Sequence, residues 1–208
     1  MRKLYFIHAA PQTNMDDAKT EGRRDTSTAA KQRTIRSSYD GPPSDAWNQT
    51  HKESSVMDVE ILPRPPQRVA YIRVAGPYAE TMPDGFNRLF RWAESRHLQG
   101  GDWLAFYWDD PKTTPLHELR ADVAVSVPAE IEGDGEVQIQ QIPAALYAVH
   151  RCRVTDGDFS APWNRLFQEW LPSSGYQAAA GPCVEQYLND GRQDGYWELL
   201  ICTPVQAR

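Results

Sequence analysis

Hydrophobic residues change from irregular to periodic spacing near Asp58, and the periodic part predicts both strands and helices. Runs rich in β-branched and aromatic residues predict strands at 59–63, 68–74, 103–108 and 121–127. Between the second and third runs, apolar side chains recur at helical spacing and predict an amphipathic helix ending near His97. Its apolar stripe consists of Phe86, Leu89, Phe90, Trp92 and Ala93.

The same order of elements then repeats in the second part of the chain. A helix is predicted from Asp158 to Leu171, with Asp158 or Thr155 as its N-terminal cap. The tetrapeptide Asn-Arg-Leu-Phe occurs in both helices, at 87–90 and at 164–167. The strands of this second unit are predicted at 137–140, 146–154, 183–188 and 196–203.

The matched order of elements predicts an α+β fold that is built by duplication. Two tandem β-β-α-β-β units with antiparallel sheets are expected around a central cleft. The expected boundaries are 57–128 for the first unit, 129–135 for an acidic linker and 136–208 for the second unit. The helix-stripe tryptophans are expected to lie in the core; these are Trp92, Trp163 and Trp170.

Residues 1–56 lack this periodicity and are dominated by polar and charged side chains. Such a segment buries too little apolar area to offset its ordering entropy, which predicts a disordered tail. The alternative is a start assigned too early, because Val56 and Met57 can both be initiator codons. N-terminal sequencing of the natively expressed protein distinguishes the two, and a native start at Met1 contradicts the second.

Composition and charge narrow the range of functions that the chain can have. The three cysteines, Cys152, Cys183 and Cys202, lack metal-ligand spacing, so we expect buried thiols, no metal and no cofactor. No apolar run is long enough for a transmembrane helix or a signal peptide, which favours a cytoplasmic protein with no membrane partner. Residues 57–208 hold 13 Lys/Arg and 21 Asp/Glu, a net charge of −8. This acidity disfavours direct nucleic-acid binding and suits a cationic small molecule or a basic protein that normally grips DNA.

Glu185 is the main candidate for chemistry, because a carboxylate in the middle of an apolar strand requires a reason. Strand alternation places it on one face with Cys183 and Tyr187. Alignment of the two units matches Phe106 with Glu185 and Trp108 with Tyr187, so Trp108 is expected to flank the carboxylate. The expected ligand-binding set is Glu185, Tyr187, Trp108, Tyr147, Tyr196 and Trp197.

Structural alternatives accompany these assignments. Glu185 would then face solvent on an edge strand or pair with Arg151 or Arg153, and each aromatic residue would serve core packing. Arg120 and Asp122 are expected to form an ion pair with each other. The sequence Asp109-Asp110-Pro111 is expected to form a turn and not a metal site, so it adds no candidate.

The chain resembles the GyrI-like domain family over residues 57–208. The matching stretches are ordered and well spaced: Ala-Gly-Pro-Tyr at 75–78, Asp-Trp-Leu-Ala at 102–105, Tyr-Trp-Asp-Asp-Pro at 107–111, Leu-Arg-Ala-Asp at 119–122, Phe-Ser-Ala-Pro-Trp at 159–163, Pro-Cys-Val-Glu-Gln-Tyr-Leu-Asn at 182–189 and Asp-Gly-Tyr-Trp-Glu at 194–198.

The resemblance implies a duplicated fold with a central cleft and two alternative functions. Stand-alone members inhibit DNA gyrase supercoiling and protect cells from gyrase-directed toxins, which implies gyrase, its A subunit in particular, as the partner. Others hydrolyse cyclopropane-bearing cytotoxins, and in drug-sensing relatives the residue matching Glu185 contacts cationic drugs. Transcription activators of this superfamily carry a DNA-binding domain, of which residues 1–56 show no pattern. A transcription-factor role is therefore not expected. Of the two remaining functions, a non-enzymatic role is expected over catalysis, in which Glu185 would activate water.

Overall fold

A computed structural model describes residues 57–98 and 100–208. The predicted disordered tail or early start at 1–56 lies outside the described residues. Within the described ranges the fold is α+β, as predicted, with nine strands and one extended antiparallel sheet. No helix in this part of the chain is both long and apolar enough to cross a bilayer.

The first half contains four strands and one long helix. The helix begins at Tyr78, well before the apolar stripe that predicted it, because Pro77 directly precedes its first turn. A short 3₁₀ turn, Leu116–Glu118, precedes the fourth strand. The elements are β1 (Glu60–Arg64), β2 (Gln67–Ala75), α1 (Tyr78–Ser95), β3 (Trp103–Tyr107) and β4 (Arg120–Ser126).

The second half repeats this order with a less regular helix, α2. It begins as Ser160–Arg165, continues through a π-helical segment, Leu166–Trp170, and ends with the turn Leu171–Ser173. The Asp158 carboxylate accepts backbone N–H groups at its N-terminus, as predicted. The other elements are β5 (Gln138–Ile142), β6 (Ala145–Val154), β7 (Tyr176–Ala178), β8 (Cys183–Tyr187), α3 (Gly191–Asp194) and β9 (Trp197–Ala207).

The strand order shows the duplication directly. The order is β1-β6-β9-β8-β3-β4-β2-β5, with β7 paired to β9 outside this path. The counterparts in the two halves are β1 and β5, β2 and β6, β3 and β8, and β4 and β9. If each strand is replaced by its counterpart, the result is the same order read in the opposite direction. The first strand of each half pairs with the second strand of the other half, since β1 lies against β6 and β5 against β2. The two halves therefore form one sheet, joined in the middle by β3 and β8.

Strand register makes the equivalence exact for the outer strands. Leu62 pairs with Tyr147, and Gln140 pairs with Val69. The sequence shift that carries Leu62 to Gln140 also carries Val69 to Tyr147, so one pair maps onto the other. We call this the outer-strand shift. Each side chain in these strands of one half therefore has an identifiable counterpart in the other.

The central strands, β3 and β8, are related by a longer shift. Ala105 pairs with Val123 as Glu185 pairs with Ile201, and Ala105 and Glu185 pair with each other. The counterpart of Glu185 is thus Ala105, and the pseudo-two-fold axis passes between these two residues. We call the shift from Ala105 to Glu185 the central-strand shift. The predicted match of Glu185 with Phe106 is wrong by one position, which places Phe106 on the opposite face of the sheet.

The sheet curls so that it has an inner and an outer face. Two-residue connections, 65–66 and 143–144, join strands from opposite ends of the strand order, so these ends must approach each other. The outer face packs against both helices, where Leu89 and Leu166 of the repeated tetrapeptides are fully buried. The inner face encloses a second apolar cluster that contains no helical residue.

Candidate functional site

Glu185 lies on the central strand β8, and its side chain is 0% exposed. Alternation along the strand places it on the outer face, in the layer between the sheet and the helices. The alternative in which Glu185 faces solvent on an edge strand is therefore wrong, because β8 lies between β9 and β3. A buried carboxylate requires compensating hydrogen bonds.

Three neutral donors provide those hydrogen bonds. The hydroxyl groups of Tyr107 and Tyr187 both donate to Oε2 of Glu185, at 2.7 and 2.9 Å. The indole Nε1 of Trp163 donates to Oε1 at 2.8 Å. Across the described residues no arginine, lysine or histidine forms an ion pair with this carboxylate. In the described region the buried carboxyl group of Glu185 is therefore compensated by hydrogen bonds from neutral groups and not by a counter-ion.

The donors come from equivalent positions in the duplicated fold. Tyr107 and Tyr187 are related by the central-strand shift, so two equivalent tyrosines converge on one carboxylate at the axis. Trp163 lies one residue before the Asn-Arg-Leu-Phe repeat of α2, and Phe86 lies one residue before that of α1. The duplication thus supplies a symmetric aromatic frame, and only one half supplies the charge.

Aromatic rings surround the hydrogen-bonded cluster. Tyr187 makes edge contacts with Phe86 at 5.3 Å and with Trp197 at 5.5 Å between ring centroids. Tyr107 makes a similar contact with Tyr78 at 5.1 Å. These contacts fix the orientation of both phenols. The result is a closed aromatic cage with one carboxylate in its centre.

The phenols remain protonated over a wide pH range. Burial raises the pKa of Tyr107 and of Tyr187 well above the usual value, and the nearby negative charge of Glu185 raises both further. Each phenol therefore acts as a donor and not as a second anion.

The element above Glu185 is the irregular one. Trp163 lies in the first segment of α2, immediately before the π-helical turns at 166–170. Such π-helical insertions are rare and occur frequently at functional sites, where they interrupt the regular ladder of backbone hydrogen bonds. By contrast, α1 runs as one helix from Tyr78 to Ser95. The helix that covers Glu185, α2, is thus the less regular of the two helices on the outer face.

The structure brings together three of the six predicted ligand-binding residues: Glu185, Tyr187 and Trp197. The expectation that Trp108 flanks Glu185 is wrong. Its ring lies on the inner face, where Nε1 donates to Asp122 at 2.8 Å. The predicted match with Tyr187 fails because the true counterpart of Tyr187 is Tyr107.

Tyr147 and Tyr196 also lie apart from the cage. Tyr147 projects to the inner face, where the guanidinium of Arg64 lies 5.9 Å from its ring centroid. Tyr196 precedes β9, and the guanidinium of Arg153 lies 4.1 Å from its ring centroid. Neither tyrosine hydrogen-bonds to Glu185, so both lie outside the cage.

The predicted ion pairs are replaced by others. Arg151 pairs with Glu198 at 2.8 Å and not with Glu185. Asp122 accepts a two-pronged contact from Arg73 at 2.7 and 2.9 Å. Arg120, expected to pair with Asp122, pairs instead with Asp109 at 2.9 Å. Asp109 and Asp110 belong to the connection after β3, where the carbonyl of Asp110 accepts the backbone N–H groups of Thr113 and Thr114. The predicted turn at 109–111 therefore agrees with the structure.

Two residues that hydrogen-bond to Glu185 were not among the predicted site residues. Tyr107 was not predicted to contact Glu185. Once the central-strand shift is known, its alternation with Phe106 places it on the same face as Glu185. Trp163 was assigned to the core, and it is 0% exposed, but its indole N–H also serves the carboxylate. The repeated tetrapeptide could have indicated the role of Trp163, because it makes Trp163 the sequence equivalent of Phe86, which lies beside the axis.

Known proteins share both the sequence and the fold. The model of a GyrI-like small molecule binding domain matches residues 57–206. A protein named DNA gyrase inhibitor from Yersinia enterocolitica is 45% identical over 154 residues, which cover 72% of this chain and 98% of that protein. One of the same name from Erwinia billingiae is 40% identical over 152 residues, covering 72% and 97%.

Solved structures agree on the architecture. The crystal structure of the EcmrR C-terminal domain matches with a TM-score of 0.56 at 16% identity, covering 74% of this chain and 99% of that one. A hydrolase from Listeria innocua matches with a TM-score of 0.54 at 11% identity, covering 77% and 98%. At such low identity these two matches show a common fold and nothing about activity.

Proposed function

The chain belongs to the GyrI-like small molecule binding domain family, and from this we propose that it binds DNA gyrase, limits supercoiling and protects the cell from gyrase-directed toxins. The observation that carries the proposal is the 45% identity to a DNA gyrase inhibitor that this chain matches over 98% of its length. The A subunit is the proposed contact, and the cytoplasm, where gyrase meets DNA, is the proposed location.

The charge of the described region supports this partner. Residues 57–208 carry a net charge of −8. A protein surface that grips DNA is basic, because it must neutralise phosphates. An acidic body is attracted to such a surface and competes there with DNA, and salt screens this attraction.

Binding to the purified gyrase A subunit tests the contact. We expect saturable binding of the full chain that weakens as the salt concentration rises from about 50 to 200 mM, since the Debye length shortens over that range. The same titration with the purified B subunit is the comparison. Absence of saturable binding to either subunit at low salt contradicts the proposal.

A second function is favoured by the cage around Glu185. A fully buried carboxylate with three neutral donors and no arginine or lysine partner in the described region has its charge available to a ligand. Aromatic faces and a carboxylate together suit a flat or aromatic cation. Entry requires α2 to move, because Glu185 is closed off from solvent. Binding is favoured over hydrolysis here, since a general base must also reach a water molecule.

The variant Glu185→Gln is expected to weaken the binding of an aromatic cation such as tetraphenylphosphonium at least about tenfold, because a neutral amide replaces the only charge in the cage. Isothermal titration calorimetry of the full chain provides the measurement. Glu169→Gln is the control, since it removes the same charge from an exposed position on α2. Equal affinities in the wild type and both variants contradict cation binding at Glu185 and leave the gyrase proposal untouched. Turnover of an electrophilic toxin by the wild type but not by Glu185→Gln supports the hydrolytic alternative instead.

A further inference from the structure

A second polar cluster lies on the inner face of the sheet, on the side opposite Glu185. Arg64, the last residue of β1, extends over this face and makes only neutral contacts. Its Nη2 donates to Oε1 of Gln186 at 2.7 Å, and its Nη1 donates to the thiol of Cys202 at 3.3 Å. The guanidinium also lies over the ring of Tyr147.

The charge of Arg64 has no counter-ion among the described residues. Two other arginines of the inner face are each paired with a carboxylate, Arg73 with Asp122 and Arg151 with Glu198. Burial raises the pKa of the Cys202 thiol, so the sulfur does not supply a negative charge. A partly buried cation that lacks a counter-ion carries a desolvation cost without the compensating attraction.

The duplication shows that the fold does not require this polar cluster. The outer-strand shift matches Arg64 with Ile142, Tyr147 with Val69 and Cys202 with Ala124, and the central-strand shift matches Gln186 with Phe106. The equivalent location on the other side of the axis is therefore filled by apolar side chains. The four apolar counterparts all belong to the buried inner cluster: Val69, Phe106, Ala124 and Ile142.

Tyr147 provides a second unused polar group. Its side chain is only 4% exposed, and its hydroxyl makes no hydrogen bond within the described part of the chain. Its counterpart Val69 has no polar atom, so the hydroxyl is not a feature that packing demands. The hydroxyl oxygen is not among the buried polar atoms that lack a partner in the described region, so it remains open to solvent and to a ligand. One cation without a counter-ion and one donor without an acceptor thus lie side by side.

We propose that the inner face binds a small organic oxyanion, with the Arg64 guanidinium and the Tyr147 hydroxyl as its donors. A carboxylate or phosphate oxygen supplies both the missing negative charge and the missing acceptor. Gln186 and Cys202 position the guanidinium. The neighbouring inner-face side chains, Leu62 and Leu200, offer an apolar wall for the body of the ligand. This site is separate from the Glu185 cage, because the two lie on opposite faces of one sheet.

Thermal unfolding of the full chain at constant ionic strength tests the site. Benzoate and inorganic phosphate are the probes, and chloride is the reference salt. We expect a saturable rise in Tm with benzoate, with phosphate or with both, and the two arms distinguish a carboxylate site from a phosphate site. The variant Arg64→Met is expected to fold, because the equivalent position is Ile142, and to lose the rise in Tm. The variant Tyr147→Phe, which removes a single oxygen, is expected to weaken anion affinity about fivefold, as for one lost hydrogen bond of roughly 1 kcal/mol.

Two controls make the outcome decisive. Arg120→Met removes a half-exposed guanidinium elsewhere on the sheet, and Glu169→Gln removes an exposed carboxylate from α2; both are expected to keep the wild-type response. A Tm that responds equally to chloride, benzoate and phosphate overturns the proposal. So does a rise in Tm that is the same in wild type, Arg64→Met and Tyr147→Phe.

Discussion

Replacing Trp163 with phenylalanine is expected to lower the free energy of unfolding by about 2.5–5 kcal/mol. The indole N–H is the only donor to Oε1 of Glu185 in the described region, and a hydrogen bond to a charged group contributes about 1.5–3 kcal/mol. The smaller ring also leaves a cavity at a position that is 0% exposed, which adds roughly 1–2 kcal/mol. Urea denaturation at neutral pH gives the value directly.

Trp92→Phe is the matched control in the first helix. Its indole Nε1 is buried and has no hydrogen-bond partner within the described residues, so removing that N–H sacrifices no hydrogen bond. We expect a loss of about 1 kcal/mol or less, from ring volume alone. Equal losses in the two variants would show that the bond from Trp163 to Glu185 contributes nothing to stability, contrary to the account of the cage.

Stability is expected to fall steeply in alkaline solution, by at least about 2 kcal/mol between pH 9 and pH 10. Burial raises the pKa of all three thiols, that of Cys183 to about 12. In the unfolded chain a thiol titrates near pH 8.5, so above that pH the unfolded state loses protons that the folded state retains. Stability from these groups is complete below about pH 8.5 and is lost as pH rises toward the folded pKa. Tyr107 and Tyr187 add to the loss above about pH 10, for the same reason.

The slope of the free energy of unfolding against pH tests the burial of these thiols without relying on the absolute stability. A buried thiol with a folded pKa far above this range contributes about 1 kcal/mol per pH unit, so Cys183→Ala is expected to reduce the slope between pH 9 and pH 10 by about that amount. Urea denaturation in the presence of a reducing agent keeps disulfide formation out of the measurement. A flat profile from pH 8 to pH 10, or identical slopes in both proteins, contradicts burial of these thiols.

Much of the architecture was predictable because its signals are local. Alternation and helical periodicity located eight of the strands and both long helices, and the repeated order of elements predicted the duplication. The strand β7 and the helix α3 span three and four residues, too few to show a period. Glu185 was identifiable as a candidate because a charge in an apolar strand is conspicuous in any sequence.

The composition of the site was harder to predict, because it depends on register. The shift between the halves is shortest in the helices, intermediate in the outer strands and longest in the central strands, since the connections differ in length. A single shift applied to β3 and β8 was wrong by one position, and in a sheet one position exchanges the two faces. Trp108 was therefore assigned to the outer face and Tyr107 was overlooked. Insertions such as the π-helical segment of α2 leave no mark in a single sequence.

The duplication also separates scaffold from function. Where the halves agree, as in Tyr107 and Tyr187, the pair builds a symmetric frame. Where they differ, as in Glu185 against Ala105 and Arg64 against Ile142, the fold accepts either residue. The architecture does not itself require a charged residue at either position, and the two proposed ligand sites lie at these two asymmetric positions.

Supercoiling of relaxed plasmid by purified gyrase and ATP, with increasing amounts of the full chain, tests the central proposal most directly. We predict a concentration-dependent loss of supercoiled product, reproduced by Glu185→Gln because the gyrase contact does not depend on the buried cage. Relaxation of supercoiled plasmid by a topoisomerase of another class serves as the control, and it should proceed unchanged if the protein acts on gyrase and not on DNA. Supercoiling that continues at the uninhibited rate in a large molar excess of the protein would contradict the account.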